Sequence, residues 1–303
     1  MLVLTRAEVE ELLDLDELIA ALADAHVELS AGSVSMPTRI AAFSPDGLLG
    51  AMPAYVPSAG LGAKLVSLFP RNRAPLPTHQ AAIVLFDGGT GTVLALLDGT
   101  YITAMRTAGA AALATKLLAR EDARVLAVLG TGVQGRAALE MFRRVRDFDE
   151  VRVAGRKTEL SYEEAVRGAD VVAATTHAAE PVVLADWLDD GVHVSSVGYN
   201  TAGSELDPAI VGRADVICVE SRESSFAPPP GGATELDGVD PSSVVELGEV
   251  VAGSRSGRTA PGEITLYKSV GVAVQDVAAA ALVVATARER GAGIEIELEE
   301  IHA

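Results

Sequence analysis

A glycine-rich turn between a strand pattern and a helix pattern constrains this chain more than any other feature. Residues 125–129 form a short, almost wholly apolar run, which is typical of a strand buried on both faces. The run leads directly into Gly-Thr-Gly-Val-Gln-Gly at 130–135, and apolar residues then recur at helical spacing as far as Val145. A strand, a G-x-G-x-x-G turn and a helix in this order predict a dinucleotide-binding turn.

Each glycine of this turn has its own physical role. Gly130 allows the tight turn, Gly132 lets the backbone approach a pyrophosphate, and Gly135 lets the helix and the strand pack closely. The N-terminus of the following helix would offer N–H groups and the positive end of its dipole to the phosphates. The alternative is an ordinary glycine-rich turn without a ligand.

The other segments predict an α/β fold with two domains. Residues 4–31 read as a helical start with a capping box of Thr5 and Glu8, and residues 38–97 as short strands of an antiparallel or mixed sheet. Strands and helices alternate from 119 to 269, which indicates a Rossmann-type doubly wound parallel sheet. We therefore predict a Rossmann domain at 119–269 and an α+β domain at 1–118 that is completed by residues 270–303.

Composition limits the classes of partner. The formal net charge is −18, from 42 acidic and 24 basic residues, which disfavours nucleic acid and anionic membranes. No apolar run reaches transmembrane length, the N-terminus does not resemble a signal peptide, and the single Cys218 cannot form an internal disulfide. The histidines show no metal-ligand spacing. We expect a cytoplasmic protein without a metal site, in which an anionic substrate needs local bases.

Several blocks, in order and spacing, resemble the ornithine cyclodeaminase and mu-crystallin family. The resemblance covers nearly the whole chain and implies a homodimer of two-domain subunits that uses a nicotinamide cofactor on small amino or imino acids. The matching blocks are Arg39-Ile40-Ala41, Met52-Pro53-Ala54-Tyr55, Gly62-Ala63-Lys64-Leu65-Val66, Pro77-Thr78-His79-Gln80-Ala81, 102–110 around Arg106, 130–134, Val197-Gly198-Tyr199-Asn200 with Glu205-Leu206-Asp207, and 264–271 ending in Lys268-Ser269-Val270-Gly271.

The resemblance implies specific site residues. Arg39, Lys64 and Arg106 fall where the family binds the substrate carboxylate, and Val270 lies in the same set of substrate-binding positions. An arginine fork suits a carboxylate, and a lysine can exchange a proton when burial lowers its pKa. From the sequence alone each of these bases also reads as a surface residue. The positions that the resemblance implies for cofactor contact are Thr78, Arg106, Val133, Gln134, Thr175, Val197 and Ser269. The glycine-rich turn adds Gly130, Gly132 and Gly135, and the segment after the second strand adds Arg156.

Asn200 is a departure from the family pattern. Cyclodeaminases and related alanine dehydrogenases carry an aspartate there as the acid/base for the substrate amine, and a neutral amide cannot take up a proton at physiological pH. Asn200 therefore argues against ornithine cyclisation, although as a catalytic residue its amide can orient a substrate amine or a water. Branches without the aspartate reduce ketimines, with Lys64 or a bound water as proton donor. Asn200 could also be a simple cofactor contact, and His79 either polar scaffolding or a proton relay.

A second departure lies after the second strand of the nucleotide domain. Relatives usually have a further helix and strand of roughly 20 residues where this chain has only residues 156–160, and a βαβ crossover needs a dozen or more residues. We therefore expect the Rossmann domain to be shortened near 156–160 and to lack an edge helix and strand. The Gly155-Arg156-Lys157-Thr158 segment has two bases and no acid, which favours NADP(H) over NAD(H). Two solvated bases in a short loop are the alternative.

These observations predict an NAD(P)H-dependent reductase of small cyclic or linear imino acids, of the ketimine reductase or amino-acid dehydrogenase type. Two alternatives stay open. One is an ornithine cyclodeaminase that converts ornithine to proline and ammonia with bound NAD. The other is a non-catalytic, mu-crystallin-like protein that binds a cofactor or ligand. We also expect Lys268 and Asp276 to organise the domain junction.

Overall fold

The computed structural model describes residues 1–198 and 203–298, and the chain divides into two compact units. Unit 1 comprises Met1–Arg106 and the segment from Val272 onwards, and unit 2 comprises Thr107–Gly271. The first division falls inside the helix Gly99–Leu118. The domain boundary predicted from the sequence, at residue 118, placed the whole of this helix in the first domain. The second falls after Gly271.

The described residues form the following elements. The strands are β1 (Leu2–Leu4), β2 (Ile40–Ser44), β3 (Gly47–Val56), β4 (Gly60–Leu68), β5 (His79–Phe86), β6 (Val93–Asp98), β7 (Val125–Leu129), β8 (Glu150–Ala154), β9 (Val171–Ala174), β10 (His193–Ser196), β11 (Val216–Val219), β12 (Val245–Glu246), β13 (Thr265–Lys268) and β14 (Ile294–Glu295). The α-helices are α1 (Arg6–Leu12), α2 (Leu15–Ser30), α3 (Gly99–Leu118), α4 (Val133–Val145), α5 (Tyr162–Val166), α6 (Pro208–Arg213), α7 (Arg222–Ser225), α8 (Leu247–Val251) and α9 (Ala273–Arg290).

Unit 2 is built on a parallel sheet in the order β12-β11-β13-β10-β9-β7-β8. All six strand pairs of this sheet are parallel. Strands β9 and β10 are buried along their whole length, as expected of a parallel sheet with both faces covered. The predicted fold class, α/β with a Rossmann-type parallel sheet and a second α+β part, is confirmed.

The order of the strands locates a ligand-binding edge in unit 2. The chain runs outward from β7 to β8 and then crosses back to β9 on the other side of β7. Ligands of open α/β sheets bind at the carboxyl ends of the strands where the order reverses in this way. Among the described strands, β8 is the outermost on its side, and the short helix α5 is the only helix between β8 and β9.

Unit 1 contains a mixed sheet in the order β14-β1-β6-β5-β4-β3-β2. Strands β2 to β6 are antiparallel neighbours, whereas β1 pairs with β6 in parallel. Helix α9 packs on β3, β4 and β5, and α2 packs on α9. Gly62 makes the close approach possible, because a Cβ there would lie 3.2 Å from Val277 on α9 and 2.7 Å from Leu85.

The N-terminal region differs from the single helical segment expected at 4–31. Thr5 and Glu8 do form the capping box of α1, as predicted. The helix ends at Leu12, however, and Asp14 begins α2 by accepting hydrogen bonds from the N–H groups of Asp16 and Glu17 at 2.9 Å. A carboxylate at this position satisfies N–H groups that have no partner within a helix, so a new helix starts there.

No helix in the described part of the chain is long and apolar enough to cross a membrane.

Candidate functional site

The carboxyl edge of the parallel sheet in unit 2 gathers five of the predicted cofactor residues. Each follows the last residue of a strand by one or two positions: Gly130 after β7, Arg156 after β8, Thr175 after β9, Val197 after β10 and Ser269 after β13. Because all the strands are parallel, these positions share one edge of the sheet. The structure therefore brings together residues that lie as far apart in the sequence as 130 and 269.

The glycines of the turn have the surroundings that a dinucleotide requires. Gly130 has φ +119°, in the region that favours glycine, and a Cβ there would lie 2.6 Å from Thr175 Oγ1. A Cβ on Gly135 would lie 1.9 Å from the Gly130 carbonyl oxygen, so this glycine allows α4 to approach the turn. A Cβ on Gly132 would meet nothing within 4 Å, which leaves open space for a phosphate.

The first turn of α4 supplies a further fit to a polar ligand. The Gln134 side-chain oxygen Oε1 is buried and has no hydrogen-bond partner within the described residues. A buried acceptor without a partner is costly in a protein, so a bound polar group at this position would be favourable. Val133, one residue earlier, is 56% exposed despite its apolar side chain. These features fit the predicted contacts of both residues with a cofactor.

Glu205 anchors two of the strand ends at this edge. Its carboxylate is 2% exposed and accepts hydrogen bonds from the Thr176 N–H at 2.7 Å and Oγ1 at 2.8 Å, from Ser196 Oγ at 2.8 Å and from the Gly198 N–H at 2.7 Å. These four donors follow or end β9 and β10, so the carboxylate fixes the backbone on which Thr175 and Val197 lie.

Glu220 does the same for the turn after β13. Its buried carboxylate accepts from Ser269 Oγ at 2.7 Å, from the Val270 N–H at 2.7 Å and from the Gly271 N–H at 3.1 Å. Gly271 has φ +71°, which a side chain rarely adopts. Neither glutamate was predicted from the sequence to have a role in the site. The sequence did contain a signal for Glu220, because this residue directly follows the apolar strand run 216–219. An acid beside a buried strand is rarely buried unless it has a partner, so its position indicated a specific contact.

Unit 1 contains a buried cluster of charges at the predicted carboxylate-binding residues. Lys64 on β4 is 1% exposed, and its Nζ lies 2.9 Å from Asp276 Oδ1 and 2.8 Å from Oδ2. Arg106 on α3 is 4% exposed and donates from Nε to Asp276 Oδ1 at 2.9 Å and from Nη1 to Gln275 Oε1 at 2.7 Å. Burial of two cations beside one carboxylate is typical of a site that binds an anion rather than of a solvated surface.

The cluster changes the proton affinity of its members. Burial lowers the pKa of Lys64 from 10.5 to about 7, with help from the positive charge of Arg106 and more weakly of Arg39, while Asp276 acts in the opposite direction. Burial alone would raise the pKa of Asp276, but Arg106 and Lys64 hold it below its ordinary value. Burial and the charge of Lys64 lower the pKa of His79 to about 4. His79 is therefore neutral near pH 7, whereas Lys64 can exchange a proton there.

The remaining predicted residues have varied surroundings. Arg39 is half-buried just before β2, and Thr78 is exposed, with its carbonyl accepting from the Phe69 N–H at 2.8 Å. Val270, which the resemblance assigned to the substrate, is 8% exposed in an apolar cluster with Val219 and Leu236. Asn200 lies outside the described residues.

Asp276 is the residue of this cluster that the sequence analysis left out of the substrate site. Its sequence context was the available signal. The segment 272–284 is rich in alanine and valine, so a helix formed there is apolar on every face, and a lone aspartate in it is expected to be buried with a partner. Within residues 1–198 and 203–298, no group of three or more histidine, cysteine, aspartate or glutamate residues is arranged to hold a metal ion.

Comparison with known proteins agrees with this geometry. The profile of the ornithine cyclodeaminase/mu-crystallin family matches residues 1–161 and 158–291. The ketimine reductase mu-crystallin of Mus musculus is 37% identical over 273 residues, which cover 83% of this chain and 85% of that protein.

Two solved structures are similar over almost the full length. Δ1-pyrroline-2-carboxylate reductase of Thermococcus litoralis, in complex with NADH and L-proline, has a TM-score of 0.92 at 33% identity and covers 98% of this chain and 100% of its own. An archaeal alanine dehydrogenase dimer with bound NAD has a TM-score of 0.92 at 33% identity and covers 99% of both chains. The resemblance seen in the sequence is thereby confirmed, and the chain belongs to the ornithine cyclodeaminase/mu-crystallin family.

Proposed function

We propose that this protein is an NAD(P)H-dependent reductase of small cyclic or linear imino acids, or equivalently an amino-acid dehydrogenase in the reverse direction. The observation that carries the proposal is the buried cluster of Lys64, Arg106 and Asp276, in which a lysine has a pKa of about 7 beside an arginine. Such a cluster provides both a carboxylate-binding charge and an exchangeable proton. Similarity to a ketimine reductase and to a pyrroline-carboxylate reductase supports the same chemistry.

In this proposal each cation has a defined task. Arg39 and Arg106 bind the substrate carboxylate, which fixes the neighbouring C=N bond relative to Lys64. A nicotinamide cofactor would be held by residues at the carboxyl edge of unit 2, among them Gly132, Gln134 and Thr175, and would supply hydride for the reduction. The nitrogen then takes the proton of the Lys64 ammonium, and the product is an amino acid. His79 is neutral near pH 7 and serves as polar scaffolding rather than as a proton donor.

The test is oxidation of NADPH and NADH at mildly acidic pH with pyrroline-2-carboxylate, piperideine-2-carboxylate, and pyruvate with methylamine or ammonia. Turnover with at least one imine is expected, and Lys64→Ala is expected to abolish it while cofactor binding remains. Equal turnover by Lys64→Ala would exclude the lysine as proton donor. Ammonia release from ornithine without imine reduction would contradict the reductase and indicate the cyclodeaminase reaction.

We further propose that NADP(H) is preferred over NAD(H). Arg156 and Lys157 are exposed at the tip of a turn closed by hydrogen bonds between Gly155 and Thr158, the shorter at 2.8 Å. Gly155 lies against the glycine-rich turn, since a Cβ there would be 3.1 Å from Thr131 Cγ2. Two cations beside the expected adenosine ribose favour a 2′-phosphate. Arg156→Ala should weaken the binding of NADPH about tenfold or more, a loss of about 1.4 kcal/mol of binding free energy, and should leave the affinity for NADH unchanged. An equal loss of affinity for both cofactors would contradict the preference.

We also propose a homodimer formed through the sheet of unit 1. The sheet face opposite α9 presents Ile40, Leu49 and Leu65, which are 69%, 51% and 42% exposed. Ile40 and Leu65 both pair with Ala51, so they form one apolar row across three strands. An apolar face of this kind marks an interface, and an alanine dehydrogenase of similar fold is a dimer. Leu65→Glu should yield monomers in sedimentation experiments, whereas the control Leu298→Glu should not; a monomeric wild type would refute the proposal.

A further inference from the structure

A buried carboxylate in unit 1 joins two of the cations assigned above to the substrate. Asp276 is fully buried at the start of α9, and its two oxygens lie 2.9 and 2.8 Å from Lys64 Nζ. Oδ1 also accepts from Arg106 Nε at 2.9 Å. We propose that Asp276 is a positioning residue that keeps Lys64 charged and holds the Lys64 ammonium and the Arg106 guanidinium in fixed directions. The inference rests on the proposed function, because it concerns the same site.

The charges around Lys64 explain why a carboxylate matters there. Arg106 on α3, Arg39 before β2 and His79 on β5 all interact electrostatically with Lys64, and both arginines are positive. Burial and the repulsion by these arginines favour the neutral amine, which cannot donate an ammonium proton. Asp276, on α9, supplies the negative charge that opposes them. The balance between these groups decides whether Lys64 carries its proton near neutral pH.

Asp276 also fixes which part of Arg106 can meet a ligand. Among the described residues, the guanidinium donates from Nε to Asp276 and from Nη1 to Gln275 Oε1, the latter at 2.7 Å. Both acceptors belong to α9, and Gln275 Nε2 in turn lies 3.1 Å from His26 Nε2 on α2. The two hydrogens of Nη2 and the second hydrogen of Nη1 are therefore the donors through which Arg106 would bind a substrate carboxylate. The close packing of α9 on β4, which Gly62 permits, sets this arrangement.

The direction of one measurable change separates this role from simple structural support. If Asp276 acts through its charge, removing the charge leaves Lys64 among cations, and the lysine pKa falls below about 7. If Asp276 only fills space, its loss admits water to the cluster, and the lysine pKa rises toward its ordinary 10.5. The two roles thus predict opposite signs.

The experiment is NMR titration of protein labelled biosynthetically with 13C at the lysine ε carbon. The chain has only four lysines, Lys64, Lys116, Lys157 and Lys268, so four resonances are expected, and a Lys64→Arg variant assigns the one of interest. Asp276→Asn should lower the Lys64 pKa by roughly one to three pH units. Asp276→Glu keeps the charge and should stay closer to wild type. The control Arg71→Gln removes an exposed cation of unit 1 and should leave Lys64 unchanged.

A rise of the Lys64 pKa in Asp276→Asn, or no change, would overturn the proposal. Should Asp276→Asn fail to fold, Arg106→Gln decides the matter in a protein that retains Asp276. Loss of the arginine removes a repelling charge and releases Asp276 for Lys64 alone, so the Lys64 pKa should rise above that of wild type. An unchanged value in Arg106→Gln would refute the charge balance described here.

These outcomes are distinguishable from failure of the proposed function, because the titration needs neither substrate nor cofactor. A shift of the expected sign in a protein without imine turnover would retain the positioning role and discard the reductase. In an active enzyme, the same substitution should move the alkaline limb of kcat/KM to lower pH. Loss of kcat at every pH with an unmoved limb would indicate structural damage and contradict the proposal.

Discussion

Replacing Gly132 and Gly135 by alanine, one at a time, separates the two tasks of the glycine-rich turn. The two glycines lie three residues apart on the same turn, but their surroundings differ. A Cβ on Gly132 meets nothing within 4 Å, and the residue has φ −79° and ψ −162°, which alanine adopts without strain. A Cβ on Gly135 would lie 1.9 Å from the Gly130 carbonyl oxygen and 2.8 Å from its carbon. The same methyl group is therefore harmless to the fold at one position and a steric clash at the other.

The structure gives the magnitude of each effect. At Gly135 the turn and α4 must separate by about 1 Å, and overpacking of this kind costs up to about 3 kcal/mol. For a unit of this size that loss lowers Tm by about 6–12 °C. At Gly132 the change in folding free energy should stay within about 0.5 kcal/mol, as for other exposed positions. The added methyl occupies the space that a phosphate needs, so cofactor affinity should fall at least about tenfold, or 1.4 kcal/mol.

Thermal unfolding of both variants, followed by titration with NADH and NADPH monitored by cofactor fluorescence, measures both effects. The expected pattern is a normal Tm with cofactor affinity reduced at least about tenfold for Gly132→Ala, and a reduced Tm for Gly135→Ala. Cofactor binding by Gly132→Ala equal to that of wild type would refute the assignment of this turn to the pyrophosphate. A Gly135→Ala protein as stable as wild type would show that α4 can shift without cost.

Three further predictions concern buried ionisable groups. Burial, reinforced by the charges of Arg258 and Arg146, lowers the pKa of His193 from 6.5 to about 3, so below pH 6.5 the unfolded chain binds a proton that the native state does not bind. The free energy of unfolding should therefore fall by about 2 kcal/mol between pH 6.5 and pH 5. Urea titrations of His193→Gln should show a smaller fall over this range, and an equal fall would contradict this role of His193. Glu205→Gln replaces one of the two accepting oxygens by an NH2 group that faces hydrogen-bond donors, so the free energy of unfolding should fall by about 2–4 kcal/mol. The control Glu159→Gln, at an exposed position, should change the free energy of unfolding little. A Glu205→Gln variant as stable as wild type would disprove the anchoring role. Only the protonated form of Lys64 can donate a proton, and this form is lost above the lysine pKa of about 7. The kcat/KM for imine reduction should therefore decline above about pH 7. A flat profile up to pH 9 would exclude Lys64 as the donor.

Local patterns in the sequence were sufficient to predict the strand, the glycine-rich turn and the helix that follows it. The strand at 125–129, the glycines at 130, 132 and 135 and the start of α4 are contiguous, and each element forms from its neighbours along the chain. The alternation of strands and helices also indicated the parallel sheet, because parallel neighbours need crossover connections. In the folded sheet the positions directly after these strands share one edge, because the strands run parallel.

Short edge strands gave no comparable signal. Strands β1 and β14 have three and two residues, too few to show an alternating pattern, and they exist because each pairs with a neighbour distant in the chain. The break at Leu13-Asp14 was equally hidden, since apolar residues continue at helical spacing on both sides of it. Only the folded structure shows that α1 and α2 are separate helices, because there Asp14 caps the N-terminus of α2.

The charge cluster marks the boundary between what the sequence determined and what tertiary structure decided. The sequence, read with its family resemblance, identified Arg39, Lys64 and Arg106 as the bases expected to bind a substrate carboxylate. It did not reveal that Asp276, 212 residues after Lys64, binds two of them. A lysine's proton affinity depends on burial and on charges within a few ångströms, and the packing of α9 on β4 decides both. Periodicity and motif spacing determine local structure, whereas the electrostatics of a buried site depend on distances that only the folded chain defines.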